Sequence, residues 1–204
     1  MRQVSLTAPM RTAGKAATTR GGLLASARRV FTASGFAEAS IAEVVGGAGA
    51  SVGSLYHHFG GKAELYLALF EDYQQRQEAR AMTAVRSART AGQNDPVELF
   101  VAGSRAYLDG CWAERDLARL FLAGGGPPGF ELVARRRYRE WTARNATLLR
   151  LGPDDREPWG DAMVLVLTTV VSESGHEVAV CEDEPAAQRL AGDVLALIGR
   201  IGAP

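Results

Sequence analysis

The segment SIAEVVGGAGASVGSLYHHFGGKAEL, residues 40–65, decides the fold of this chain of 204 residues. Its first residue, Ser40, is a preferred helix N-cap. Apolar residues follow it at helical spacing, at Ile41, Val44 and Val45. Gly49 ends this short helix, and Ser51 is placed to cap a second one. Two short helices joined by a glycine turn form a helix-turn-helix, so the segment predicts this motif with a third helix directly after it.

The motif and the residues before it resemble the DNA-binding domain of the TetR family of transcriptional regulators. Residues 20–36, RGGLLASARRVFTASGF, supply the residues that end the first helix in the family, namely Phe31, Gly35 and Phe36. The family's spacing is met again at Ser40, Ile41, Gly49, Ser51, Gly53, Leu55, Tyr56, Phe59, Lys62 and Leu65. Spread over about fifty residues, this set is specific, whereas a lone glycine turn would not be.

The remainder of the chain predicts an all-α fold of about nine helices, because helical stretches are separated by Gly and Pro without strand alternation or repeats. The resemblance implies a three-helix DNA-binding head followed by a helical ligand-binding and dimerisation domain. We expect a flexible basic arm over residues 1–17, the helix-turn-helix domain over 18–62, and the effector-binding and dimerisation domain over 63–204. The first helix is expected to begin near Thr19 and to stop at Gly35.

Charge is divided along the chain although the formal net charge is zero. Residues 1–62 hold seven Lys or Arg against two Glu, a net charge of +5, so the remainder carries −5. A basic head on an acidic body suits a protein that presents one face to phosphates. A chance asymmetry in solvated faces is the alternative explanation.

Composition also predicts the compartment and the absence of cofactors. Cys111 and Cys181 form neither a disulfide framework nor a zinc pattern, so we expect reduced thiols, no metal and no cofactor. No signal peptide is expected, and the apolar stretch 162–171 is too short to span a bilayer. We therefore expect a cytoplasmic protein without a membrane partner.

The resemblance implies which residues contact double-stranded DNA, namely Ser40, Ser51, Val52, Gly53, Ser54, Tyr56, His57 and Lys62. The Tyr56 hydroxyl and the Lys62 ammonium are expected on backbone phosphates, the latter beside free N–H groups at a helix start. The second helix of the motif contains no Arg, Lys, Asn or Gln, the residues that make bidentate contacts to guanine and adenine. Val52 is therefore expected on a thymine methyl, and His57 is the best candidate for a base contact, whereas His58 belongs to the helix surface or packs against helix one.

Two glycines in the first helix of the motif give a prediction about stability. Gly46 and Gly47 lie in its last turn, where each costs about 1 kcal/mol relative to Ala. We therefore predict that Gly47→Ala raises the melting temperature, unless Gly47 needs a positive φ.

In the second domain, the resemblance implies a small-molecule pocket and a dimer interface. The candidate pocket residues are Phe100, Ser104, Tyr107, Phe121, Trp141, Asn145, Met163 and Leu167, although aromatic residues at helical spacing are also typical of a plain core. The candidate interface residues, on the last two helices, are Met163, Val166, Val170, Leu190, Val194, Leu197 and Ile201. Residues 162–171 are apolar nearly all round, which indicates burial on more than one side, although a central core helix has the same pattern.

The function implied is that of a homodimeric repressor, which binds a pseudo-palindromic operator and is released by a small, largely apolar effector. A helix-turn-helix interaction module without sequence-specific DNA binding is the alternative. We do not expect an enzyme, because the adjacent His57 and His58 point about 100° apart on a helix and no nucleophile, phosphate loop or metal spacing occurs. Asp154 and Asp155 are the other candidates for a catalytic role.

Overall fold

A computed structural model describes residues 10–122, 125–149 and 160–201 of the chain. Within these ranges the protein consists of nine α-helices and contains no strand, which confirms the all-α prediction. The helices are α1 (Met10–Glu38), α2 (Ile41–Ala48), α3 (Val52–Phe59), α4 (Lys62–Thr90), α5 (Pro96–Ala113), α6 (Arg115–Leu122), α7 (Phe130–Leu149), α8 (Gly160–Val180) and α9 (Glu184–Ile201). The chain divides into two compact units.

The first unit contains α1, α2, α3 and the start of α4, up to Glu71, together with residues 125–127. The Tyr66 ring packs edge-on against Phe31 and Phe36, with a centroid distance of 5.3 Å to each. The buried core of this unit comes from all four helices and includes Leu23, Ala27, Phe31, Val44, Leu55, Leu65 and Tyr66. Because α4 supplies Leu65 and Tyr66, the unit extends past the boundary at residue 62 that we expected from the sequence.

Helix α1 begins at Met10, earlier than the expected start near Thr19. The Ala-rich stretch before Thr19 has high helix propensity, and it continues the helix although it has no apolar periodicity. Only residues 1–9 of the predicted basic arm lie outside the described residues. Gly35 has φ 74° and ψ 176°, a conformation that breaks the helix at the predicted position.

The contact between α1 and α2 changes the prediction made for Gly47. Gly47 does not have a positive φ, so its backbone would accept alanine. However, a Cβ at this position would lie 2.5 Å from the Oγ of Ser26. Ser26 is only 1% exposed, and Arg29 of the same helix donates a hydrogen bond to the Gly47 carbonyl at 3.0 Å. The packing therefore reverses the prediction, and we expect Gly47→Ala to lower stability, because α1 approaches α2 closely at this position.

The second unit holds the rest of α4 and the helices that follow it. Its hydrophobic core is formed mainly by α5, α8 and α9, with Phe100, Leu108, Cys111, Leu167, Val171, Val178, Ala187, Ala191, Leu195 and Ile198. Among the described helices, α8 alone is long and apolar enough to cross a membrane by length and composition. Because Leu167, Val171 and Val178 are buried in this core, the packing of α8 is that of a core helix.

An ion-pair network joins α4 to the end of α5. Glu114 is 6% exposed, and its carboxylate accepts hydrogen bonds from Arg76 Nε at 3.0 Å and from Arg80 Nη1 at 2.5 Å. Arg76 also pairs with Asp72 one turn earlier on α4. Burial by itself raises the pKa of Glu114, but the hydrogen bonds from Arg76 and Arg80 outweigh it and hold this pKa below its ordinary value. The network therefore carries equal numbers of positive and negative charges.

Candidate nucleic-acid interface

Helix α2 begins with a capping box, which contains the Ser40 cap expected from the sequence and adds Glu43. The Oγ of Ser40 accepts a hydrogen bond from the Ala42 N–H at 3.1 Å, and the Ser40 N–H donates to the Glu43 carboxylate at 3.2 Å. The helix ends at Gly49, whose φ of 60° is the left-handed conformation that glycine adopts without strain. Because the Ser40 oxygen is used as an acceptor, its hydroxyl proton can still be donated to a phosphate.

Helix α3 turns its apolar residues inward and most of the predicted DNA-contacting residues outward. Leu55 and Phe59 are buried, whereas Val52 is 47% and Tyr56 52% exposed. Ser51 caps the helix by accepting a hydrogen bond from the Ser54 N–H at 3.1 Å. The exposed face that results consists of Ser51, Val52, Gly53, Tyr56 and His57, with Ser54 half-buried at its edge. We call this set the α3 face.

The two histidines of α3 have different surroundings. His57 is exposed on the α3 face, whereas His58 is half-buried. The His58 ring lies 5.3 Å from the His57 ring and 6.3 Å from the Phe59 ring, measured between centroids. This difference agrees with the prediction that His57, and not His58, is available to a base.

Lys62 makes contacts that the sequence did not indicate. Its Nζ donates a hydrogen bond to the Ala37 carbonyl at 2.8 Å and lies 4.8 Å from the centroid of the Phe36 ring. The ammonium group therefore ties the start of α4 to the end of α1. An ammonium group has three N–H donors, so Lys62 can donate to Ala37 and to a phosphate at the same time. The predicted phosphate contact is therefore compatible with the hydrogen bond to Ala37, but it has fewer donors available.

Arg20 is a cation near α3 that sequence reasoning missed. Its guanidinium carbon lies 5.1 Å from the centroid of the Phe59 ring, at the last residue of α3, and the side chain is exposed. No local pattern relates Arg20 to Phe59, because the contact depends on how α1 packs against α3. The only related feature of the sequence was the excess of positive charge in residues 1–62, which indicated cations near the motif but not which residue.

The predicted pocket residues lie in the second unit, where most of them form part of its core. Phe100 and Leu167 belong to the buried core, and Tyr107, Trp141 and Met163 pack against it. Asn145 donates a hydrogen bond to the Thr168 hydroxyl at 3.1 Å and so joins α7 to α8. The remaining two, Ser104 and Phe121, are buried.

The predicted dimer residues fall into two groups. Four of them are highly exposed for apolar side chains, namely Val166 (48%), Val170 (38%), Leu197 (55%) and Ile201 (50%). The other three are half-buried and pack against the core of the second unit, namely Met163, Leu190 and Val194. Helices α8 and α9 therefore expose apolar side chains at four of the seven predicted positions.

No group of three or more His, Cys, Asp or Glu side chains in the described ranges could hold a metal ion. Asp154 and Asp155 lie outside the described residues.

The described geometry defines a helix-turn-helix protein, with the motif in the first unit and a separate helical unit after it.

Comparison with known proteins relates the helix-turn-helix segment to a family of bacterial regulators. Residues 23–69 match the family model described as bacterial regulatory proteins, tetR family. The chain is 33% identical over 89 residues to the HTH-type transcriptional repressor AcnR of Corynebacterium efficiens, and the match covers 44% of this chain and 42% of AcnR. The structure of a transcriptional regulator from Aquifex aeolicus aligns with a TM-score of 0.69 at 18% identity, over 90% of this chain and 99% of that one. RolR in complex with resorcinol aligns with a TM-score of 0.55 at 22% identity, over 92% and 90% of the two chains. Residues 23–69 are thus similar to the tetR family of bacterial regulatory proteins, and the chain spans less than half the length of AcnR in the alignment.

Proposed function

We propose that the chain is an intracellular homodimeric repressor that binds a pseudo-palindromic operator through the α3 face and is released by a small effector. The observation that carries the proposal is the division of α3, in which Leu55 and Phe59 fix the helix while Val52, Tyr56 and His57 are presented to solvent. A recognition helix needs this arrangement, because its outer side chains must reach the major groove.

The chemistry of the α3 face supports specific but modest base reading. His57 offers a ring N–H or a ring nitrogen acceptor to a base edge, and Val52 offers an apolar surface to a thymine methyl. The hydroxyl groups of Ser40 and Tyr56 and the ammonium group of Lys62 are the proposed phosphate contacts. Contacts to phosphate orient the protein on the duplex but carry no sequence information directly.

Selection of the full-length protein on random duplexes tests this proposal. We expect one palindrome to be enriched, and His57→Ala to weaken binding to it by about 1–3 kcal/mol, the usual discrimination of a good base contact. His58→Ala is the matched control, since it removes the same side chain one residue away on a half-buried position, and it should leave the preference unchanged.

The alternative, an interaction module without sequence-specific binding, is favoured by one observation. Residues 52–59 contain no Lys or Arg, and the nearby Lys62 is already bonded to Ala37. Salt-sensitive binding without enrichment of any sequence would support this alternative and contradict the repressor.

The exposed apolar positions of α8 and α9 support a dimer. Val166 and Val170 lie one turn apart on α8, and Leu197 and Ile201 lie one turn apart on α9, so each pair forms a ridge. A symmetric interface buries the same patch on both subunits. We expect sedimentation equilibrium to show a dimer at micromolar concentration, and Val170→Asp to give a monomer. Leu132→Asp alters a 73% exposed apolar residue on α7 and should leave the dimer intact.

A largely apolar effector is supported by the composition of the second unit. Its core contains the predicted residues Phe100 and Leu167, with the rings of Tyr107 and Trp141 packed against it. RolR, which shares the fold, is bound to resorcinol. A coupling free energy of about 1–3 kcal/mol between effector and DNA would weaken operator affinity by roughly 5- to 150-fold.

A further inference from the structure

The core of the second unit contains a side-chain amide without hydrogen-bond partners. Gln77 on α4 is 2% exposed, and neither its Nε2 nor its Oε1 forms a hydrogen bond with any residue in the described ranges. The amide lies near the Tyr73 hydroxyl, and its influence there lowers the Tyr73 pKa and offsets part of the rise caused by burial. Buried amides are normally paired, because leaving both groups unpaired costs several kcal/mol on the usual scales for burying a polar group. Within the described residues, the Gln77 amide therefore has hydrogen-bonding groups left for a further partner.

Two glycines make room for polar groups at this place. A Cβ at Gly110 would collide with the Gln77 Oε1, and a Cβ at Gly175 would lie 2.8 Å from the Tyr107 Oη. Any other residue at position 110 would push the amide out of its place. The close approach of α5 and α8 to these side chains thus depends on the absence of two methyl groups.

Further hydrogen-bonding groups surround the Gln77 amide. Tyr73 lies one turn before it on α4, and the Tyr73 Oη is 3.7 Å from the Sγ of Cys111, which follows Gly110. The same Cβ position at Gly175 that approaches the Tyr107 Oη lies 3.1 Å from this sulfur. Two hydroxyl groups, a thiol and an amide thus converge from α4 and α5. We call these four residues, Tyr73, Gln77, Tyr107 and Cys111, the polar cluster.

The polar cluster is uncharged at neutral pH. Burial raises the pKa of Tyr73 and of Tyr107 well above the ordinary value and raises the pKa of the Cys111 thiol to about 11. Among the nearby charges, Arg76, Arg80 and Glu114 are engaged with one another, and the negative charge of Glu173 contributes to the raised pKa of Tyr107. An anionic ligand would find no free counter-ion among these groups, whereas an uncharged ligand could be accepted.

Aromatic rings adjoin the polar cluster on two sides. The Phe121 ring lies 5.5 Å from the Tyr73 ring, and the Trp141 ring lies 5.1 Å from the Tyr107 ring, between centroids. Tyr107 and Trp141 are half-buried. The surroundings combine one unsatisfied amide with apolar ring surfaces.

We infer that the Gln77 amide is the polar anchor of the effector site and that it selects small, uncharged aromatic ligands bearing a hydroxyl group. A hydroxyl group both donates and accepts, so it can bond to the Oε1 and Nε2 of one carboxamide, while the ring of the ligand lies against Phe121 or Trp141. This inference rests on the proposed function, which assigns an effector site to the second unit.

Three simple probes separate the contributions to binding. Phenol carries the hydroxyl group, toluene has a similar shape without it, and benzoate carries a negative charge. We expect saturation-transfer NMR titrations of the full chain to show that phenol binds more tightly than toluene and that benzoate does not bind. Gln77→Met keeps the length of the side chain and removes both hydrogen-bonding groups, so it should weaken phenol binding by about five- to tenfold and leave toluene unchanged.

Gln75→Met is the matched control, since it makes the same substitution on an exposed position of the same helix. Its affinity for phenol should equal that of the wild type. If the Gln77 variant does not fold, the side-chain amide signals of Gln77 in the labelled wild-type protein provide the test, and they should shift with phenol and not with toluene.

Equal binding of phenol and toluene to the wild type and to Gln77→Met would overturn the inference, as would failure of all three probes to bind. A Gln77→Met variant that is more stable than the wild type, with unchanged phenol affinity, would show that a water molecule satisfies the amide, and this too would overturn it. Operator binding is measured separately. Release of DNA by an apolar compound without any role for Gln77 would leave the proposed function standing, whereas tight phenol binding without release would contradict only the effector part of that function.

Discussion

The close approach of α1 to α2 makes opposite predictions for two neighbouring glycines. A Cβ at Gly46 would have no neighbouring atom within 4 Å, whereas a Cβ at Gly47 would lie 2.5 Å from the Ser26 Oγ. Both residues lie in α2 with negative φ, so backbone conformation does not distinguish them. Comparing Gly46→Ala with Gly47→Ala therefore isolates the effect of packing, because the change in helix propensity is the same in both variants.

The magnitudes follow from two opposing contributions. Replacing Gly by Ala in a helix gains about 0.5–1 kcal/mol in the free energy of unfolding. Inserting a methyl group into a packed contact costs about 1–3 kcal/mol, and Ser26 cannot easily give way because it is 1% exposed. We therefore expect Gly46→Ala to stabilise by about 0.5–1 kcal/mol and Gly47→Ala to destabilise by about 1–2 kcal/mol.

A double-mutant cycle identifies the opposing atom. Ser26→Ala removes an Oγ that has no partner among the described residues, so alone it should be close to neutral. After its removal, the nearest atoms to a Cβ at Gly47 are the mobile end of Arg29 at 3.1 Å and the Cβ at position 26 at 3.7 Å. The double variant should accordingly recover the stability of Gly46→Ala.

Urea unfolding followed by circular dichroism measures all four variants. The decisive quantity is the coupling energy between positions 26 and 47, which we expect to be about 1.5–3 kcal/mol. If Gly47→Ala is as stable as Gly46→Ala, the Ser26 side chain rotates away without penalty and the reasoning from close approach is refuted. Destabilisation that persists in the double variant would assign the cost to another contact.

Two further predictions concern the charged groups. Lys62→Ala should destabilise the protein by about 1 kcal/mol, because it removes the hydrogen bond to the Ala37 carbonyl. If Lys62 also binds a phosphate, the variant should change DNA binding as well. In a titration of affinity against salt concentration, the slope of log affinity against log salt should fall by about 1 for each phosphate no longer neutralised. Glu114→Gln should destabilise by about 1–2 kcal/mol at neutral pH, a range discounted because Arg76 and Arg80 are about one-third exposed. Since folding lowers the pKa of Glu114, its contribution is complete above the ordinary pKa of 4.5 and disappears as pH falls through the folded value, so urea unfolding should show the wild type and the variant converging in acid.

The helix-turn-helix could be predicted in detail because its signals are local. Ser40 and Ser51 cap helices through atoms two or three residues away, and Gly49 ends α2 with its own backbone. Such contacts depend on residue type and spacing, which a sequence displays directly.

Contacts between distant residues could not be predicted in this way. Lys62 reaches a carbonyl 25 residues earlier, and Gly47 meets Ser26 on another helix. Nothing in the spacing of either residue indicates its partner, because the partner depends on how two helices pack. In the second unit the same limit applies to aromatic residues, whose helical spacing is equal in a pocket and in a core, and the Gln77 amide was missed because a glutamine in an amphipathic helix is usually solvated.

The α3 face also bears on where specificity in this protein arises. Its side chains are short or apolar apart from Tyr56 and His57, so under the proposed function the protein would make few strong contacts to base edges in each half-site. In a symmetric dimer the same contacts are made twice on one operator, and the free energies of the two half-sites add. A face with weak readout therefore depends more on dimerisation than a face rich in arginine, because the contacts to one half-site alone supply little discrimination. Under the proposed function, the exposed ridges of α8 and α9 are then as important for choosing an operator as the residues of α3.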